Sequence, residues 1–193
     1  MHVDVIFHGG FVITMEGPGT GVINDGAVAV KGNKIVAVGD TADVLRDYTA
    51  DRYIDAKGKA VMPGFVDSHI HTGDVIVRSC AQDISGDIWR IHGILPLLGQ
   101  ATDEETTLGS RLNIIEAMKN GTTTFGDFYS PMSSIIQNYV DLGARACVSE
   151  MINEMPRDTI NIDPDALLPL DSAVGERKLQ SNIRLMEEYH QSH

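Results

Sequence analysis

The chain of 193 residues is 42% hydrophobic and 22% charged, enough apolar material for one ordinary domain or a small domain plus part of a larger one, which excludes disordered and fibrous classes. A formal charge of −12 excludes a nucleic-acid partner, whose binding rests on Lys and Arg neutralising phosphates, and disfavours an anionic membrane surface. No basic segment with a following apolar core opens the chain and no apolar run approaches ~18 residues, so neither a signal peptide nor a membrane span is expected. Cys80 and Cys147 lie outside any C-x-x-C pattern, which predicts reduced, buried thiols and a cytoplasmic location.

Taken in chain order, residues 1–62 read as a small β-rich unit. "VDVIFHGGFVITM" is apolar and β-branched, and "GAVAVKGNKIVAVGD" predicts a hairpin turning at Lys31-Gly32-Asn33-Lys34. "TADVLRDY" allows one short helical turn.

From residue 63 to 193 the pattern becomes strand, helix, strand, helix. "GFVDSHIH" predicts a strand. "TDEETTLGSRLNIIEAMKNG" predicts a helix opened by the capping box Thr102-x-x-Glu105, with Leu108, Leu112 and Ile115 on one face and a stop at Asn120-Gly121. "TTTFGDF" is the next strand. Ser130-Pro131 has the N-cap and first-turn signature of a second helix, which Ile135, Ile136, Tyr139 and Val140 carry to Gly143. "ARACVSEM" is a third strand, and a last helix from near Ser172 carries Leu179, Ile183, Met186 and His190 at helical spacing into the C-terminus. Strands alternating with helices imply a parallel sheet, doubly wound or a barrel, yet three strands cannot close a barrel that takes eight. The chain therefore reads as part of a longer fold.

"AVMPGFVDSHIHTGD" poses the functional question. In a strand, alternate residues share a face, so Asp67, His69 and His71 should project together at its C-terminal end, the end that faces the active site in α/β folds. Two imidazoles so placed suit a divalent metal; a pair of hydrogen-bonded or exposed histidines is the other reading. Asp127 and Glu150 close the second and third strands, where ligands could also sit.

"DAKGKAVMPGFVDSHIH", after a β-rich segment containing "VKGNKIVAVGD", resembles the start of an amidohydrolase-superfamily enzyme. The resemblance is strongest to the deaminase and chlorohydrolase branch, which includes S-adenosylhomocysteine/methylthioadenosine, cytosine and guanine deaminases and triazine hydrolases. "VRSCAQDISGDIWRIHGILP", "EAMKNGTTTFGDFY" and "GARACVSEMINE" extend it along nearly the whole chain.

This resemblance implies an α/β fold: about three βα units from the N-terminal part of a (β/α)8 barrel, preceded by half of a small β-sandwich. It implies a divalent metal, zinc with iron as the alternative, held first by His69 and His71. It implies hydrolysis of a non-peptide C–N bond in a nitrogen heterocycle by metal-activated water. The remaining ligands and the proton-shuttling Glu belong to segments outside this sequence, so no catalytic residue is assigned within the chain. A complementing chain or missing C-terminal portion, and an oligomer, are implied partners; a non-catalytic half-barrel or pseudoenzyme subunit with a scaffolding role is the alternative.

Trp89 carries over as a substrate-pocket residue, with a buried anchoring role as its plainer reading. Leu98 stands where the nucleoside deaminases of the branch carry a Glu for ribose hydroxyls and cannot accept a hydrogen bond, which points away from a nucleoside. Arg78 either contacts substrate or neutralises a loop carboxylate. Ser79 stands where the branch has Gly.

Overall fold

A computed structural model describes residues 1–156, 167 and 169–190, the side chains of Asp87, Arg90 and Ile91 excepted. The chain divides into two compact units, Met1–Pro63 and Gly64–His193.

The first unit is one mixed sheet of β1 (His2–Ile13), β2 (Val22–Lys31), β3 (Lys34–Asp40), β4 (Thr49–Asp55) and the short β5 (Ala60–Val61). Its order is β3-β2-β1-β4, with β5 also beside β1. The hairpin turns where the sequence places it: Lys31 pairs with Lys34, and Gly32 takes the positive φ of 59° that the tight turn demands. Helix α1 (Thr41–Asp47) contributes Val44 to a core with Val3, Ile6, Ala27 and Ala29.

In the second unit β6 (Phe65–Ile70), β7 (Thr122–Tyr129) and β8 (Arg145–Glu150) form a parallel sheet in the order β6-β7-β8. Between β6 and β7 run a 3-10 segment at Thr72–Val77, a turn α2 (Gly86–Ile88), a π-helical stretch at Trp89–Ile94, α3 (Leu95–Gln100) and α4 (Asp103–Lys119). Helix α5 (Met132–Leu142) links β7 to β8, and α6 (Ser172–Tyr189) follows β8. Two clusters form the core: Ile114, Phe125 and Tyr139 in one, and Tyr129, Met132, Ile135, Ile136 and Leu185 in the other. These are three βα units with helices packed on the sheet.

Helix α4 starts where the sequence places it, and Leu108, Leu112 and Ile115 do share one face, which is the outward one. The capping box forms in full, with Glu105 N–H donating to Thr102 Oγ1 at 3.1 Å and Thr102 N–H donating to Glu105 at 2.8 Å. The stripe of Leu108, Leu112 and Ile115 is 61%, 50% and 37% exposed, while Thr106, Gly109, Ser110 and Ile114 are buried. Small residues hold the inner face because α4 lies against the Thr72–Val77 turn: a Cβ on Gly109 would overlap the Ile76 Cγ2 methyl. On that same face Asn113 Nδ2 donates to the Thr72 carbonyl at 3.4 Å.

Helix α6 likewise turns an apolar stripe outward. Leu179, Ile183 and Met186 are exposed, whereas Val174 and Leu185 are buried. The helix ends at Tyr189 rather than running on, and residues 191–193 lie outside the described residues.

At the start of α5 the N-cap is Pro131, one residue later than predicted, and no side chain from that position caps the helix. Buried Glu150 reaches across from the end of β8, and Met132 N–H donates to it at 3.0 Å. Gly143 stops the helix in the left-handed conformation, φ 67°.

Candidate metal centre

His69 stands near the C-terminal end of β6, and His71 follows one residue past it. Their rings meet edge to face, centroids 5.0 Å apart, and both touch Phe128 of β7, at 5.2 Å and 4.5 Å. Asp67 does not join them by strict alternation. The ladder with β7 slips between Asp67 and Ile70, which pair with Phe125 and Asp127. A bulge of this kind breaks the two-residue period. The Asp67 carboxylate instead accepts from the His69 backbone N–H at 3.3 Å.

The chemistry of His71 is fixed by one contact. Its Nδ1 lies 2.9 Å from the Phe128 carbonyl oxygen, which can only accept, so Nδ1 carries the proton and the Nε2 lone pair is left free. A metal-binding imidazole is oriented by this kind of second hydrogen bond. Two nitrogens each about 2.0–2.1 Å from one ion, at near-tetrahedral angles, place ring centres roughly 5 Å apart, which matches the spacing found. The pair supplies two imidazole donors side by side, the donor type a divalent cation such as zinc takes. Among the described residues no third His, Cys, Asp or Glu joins the two in a group able to hold a metal.

Behind the pair lies a buried polar cluster. Asp127 Oδ2 accepts from Thr72 Oγ1 at 2.6 Å and from the Tyr139 hydroxyl at 2.7 Å. Because the Thr72 proton goes to Asp127, Ser110 donates in turn to Thr72 Oγ1 at 2.8 Å. Burial pushes the Asp127 carboxyl above the usual range against the pull of these donors and of His71, and burial beside Asp127 pushes Tyr139 up strongly. Asp127 thus ties the Thr72 turn that follows the two histidines to β7 and α5.

Asp74 is the residue that sequence reasoning missed. Its carboxyl accepts from Tyr129, burial raises its pKa, and His71 lowers it in part. No spacing or motif signals it, since only the 3-10 turn after β6 brings it inward. The outer oxygens of both acids, Asp74 Oδ1 and Asp127 Oδ1, are buried without a hydrogen-bond partner among the described residues. Glu150 is occupied in capping α5.

Trp89 is 40% exposed, neither a buried anchor nor joined to the imidazoles by any ring contact among the described residues. Leu98 is half-buried on α3. Arg78 is settled by geometry: it donates to Glu116 of α4 at 2.6 Å and neutralises a carboxylate. Ser79 adopts φ 66°, the left-handed region that glycine takes freely. Cys80 and Cys147 are free, as predicted, but exposed rather than buried, Cys147 because β8 is an edge strand and Cys80 because it lies in the loop after the 3-10 turn.

Comparison with known proteins places the chain. The Amidohydrolase family matches residues 60–192, and an imidazolonepropionase-like composite domain of bacteria matches residues 26–50. A 5-methylthioadenosine/S-adenosylhomocysteine deaminase of Pelotomaculum thermopropionicum is 37% identical over 76% of this chain and 34% of its own length. A 5'-deoxyadenosine deaminase of Methanococcoides burtonii is 36% identical over 76% of this chain and 32% of its own.

Among solved structures, a zinc-bound adenosine deaminase from Xanthomonas campestris superposes with TM-score 0.79 at 27% identity, covering 97% of this chain and 41% of that one. The zinc complex of atrazine chlorohydrolase TrzN from Arthrobacter aurescens shares the fold at TM-score 0.77 and 21% identity, over 98% of this chain and 44% of that one. The chain thus spans well under half the length of these relatives. It belongs to the amidohydrolase family and corresponds to the N-terminal part of the fold, a small mixed sheet followed by three parallel βα units.

Proposed function

We propose that this chain supplies the first strands and two metal ligands, His69 and His71, of a hydrolase that cleaves a non-peptide C–N bond in a nitrogen heterocycle. The observation that carries the reading is the imidazole pair at the end of β6, with the His71 tautomer set by the Phe128 carbonyl. Zinc is the metal that suits a nitrogen-rich site and is named in two structural relatives; iron is the alternative. When bound, such an ion lowers the pKa of its water towards ~7 and makes hydroxide available at neutral pH.

In the proposed reaction the oxygen of water adds to the ring carbon bearing an exocyclic amine, and one of the water's protons passes to the amine. The C–N bond then breaks to release ammonia and leave the ring carbonyl compound with the other proton on the ring nitrogen. His69 and His71 bind the ion, Phe128 holds His71 in register, and Asp127 anchors the turn behind it. The half-exposed indole of Trp89 is proposed to line the substrate pocket. The proton-shuttling carboxylate and remaining ligands are supplied by a complementing chain or further sequence. Relatives named for adenosine-type deamination make 6-aminopurine compounds the first substrates to assay. The apolar Leu98 favours those without a diol, or non-nucleoside heterocycles. The two free thiols fit a cytoplasmic setting.

Ammonia release from 6-aminopurine and triazine compounds by the zinc-loaded complete assembly tests this. Turnover should fall more than about 100-fold, beyond the range of outer-sphere effects, in His69→Ala and in His71→Ala. Undiminished turnover in either variant contradicts the proposal. A second reading, a non-catalytic half-barrel that scaffolds a partner, predicts no turnover in any pairing.

A further inference from the structure

The outward stripe on α4 has an internal symmetry. Glu104 and Lys119 are exposed at opposite ends of the face that carries Leu108, Arg111, Leu112 and Ile115. With about 3.6 residues per turn, all six fall on one side of the helix. They are also spaced evenly about the midpoint between Arg111 and Leu112: Leu108 and Ile115 stand at equal distances from it, and so do Glu104 and Lys119. A second α4 laid antiparallel on a dyad through that midpoint sets Leu108 against Ile115 twice and Glu104 against Lys119 twice. Isologous contacts have this form, in which one residue meets another and is met by it in return.

We propose that α4 is the contact helix of a two-fold dimer of this chain, with antiparallel copies joined by the Leu108–Leu112–Ile115 stripe and clamped at each end by Glu104 and Lys119 of the second copy. Charge complementarity at the ends selects a second copy as the occupant, since acidic and basic ends of one helix match only when it is reversed. Arg111 beside the dyad is neutralised within its own copy by Asp141 at 3.2 Å. Further strands added to β6 or β8 would extend the sheet, whereas this stripe faces away from it: the sheet side of α4 is Thr106, Ser110 and Ile114. A stable dimer hides about 800 Å² per partner, more than one helix face offers. The adjoining groove of 630 Å³, lined by Val75, Ile76, Leu97, Leu108 and Leu112, enlarges the apolar surface available. The proposal is independent of the hydrolytic reading.

Sedimentation velocity on the complete natural protein, across micromolar concentrations, tests it. The wild type should dimerise and Leu108→Glu should be monomeric; Ile115→Gln replaces it should that variant fail to fold by circular dichroism. Glu104→Lys and Lys119→Glu should each weaken the dimer at least about tenfold through like-charge juxtaposition. The double variant E104K/K119E should return the dissociation constant to that of the wild type. A monomeric wild type, a dimer indifferent to both apolar variants, or a double variant as weak as the singles overturns the proposal.

Discussion

Asp127 shows how a single residue organises the ground behind the candidate ligands. It takes two short hydrogen bonds from Thr72 and Tyr139 in a buried setting, so truncation strands both donors. Asp127→Ala should cost about 2–4 kcal/mol in urea unfolding, while Asp127→Asn, which keeps an acceptor, should stay within about 1 kcal/mol. Burial holds the Asp127 carboxyl above its usual range, with Thr72, Tyr139, His71 and Asp74 around it. An acid raised in the folded state loses stability as pH climbs from the unfolded carboxylate range through its folded value. Unfolding curves of wild type and Asp127→Asn at stepped pH should therefore diverge against the wild type as pH rises, and a constant difference would contradict this. At this scale the sequence was readable where chemistry is local: that the rings of His69 and His71 lie side by side follows from a two-residue spacing. Asp67 was misplaced because a register slip, invisible in composition, breaks that spacing.

Among the elements, α4 is the most instructive. Its start was legible because a capping box is a contact between residues three apart, and Thr102→Ala should lower stability by about 1 kcal/mol. Its orientation was not legible. Leucines at helical spacing ordinarily mark the buried face, yet here close approach to the Thr72–Val77 turn admits only small side chains. Gly109→Ala decides between the two effects. Helix propensity favours Ala by about 1 kcal/mol, while overpacking against Ile76 costs about 1–3 kcal/mol, so a net loss of up to about 2 kcal/mol is expected in urea unfolding. A gain in stability would mean that α4 is not seated tightly on the turn. Glu150 capping α5 was likewise beyond sequence reading, because that bond spans two elements.

At the scale of the whole molecule, the chain folds three βα units of an amidohydrolase while spanning about a third of its curated relatives. The alternation of strands and helices was enough to read a parallel βα sheet, while the family was legible only through the resemblance of segments such as "AVMPGFVDSHIH" and "EAMKNGTTTFGDFY". Exposed Phe65 and Val66 on β6, and the 770 Å³ groove along α5, β8 and α6, mark apolar surface that the described residues leave open. No helix of the described residues is long and apolar enough to cross a membrane. The proposed function turns on two imidazoles, His69 and His71, acting as part of a metal site that other segments complete. Elemental analysis of the complete assembly, after dialysis against a weak chelator, tests this most directly. Zinc or iron should remain near one ion per site, fall to background in the His69→Ala/His71→Ala double variant, and be absent from the isolated chain. Undiminished metal in the double variant, or none in the complete wild-type assembly, would contradict it.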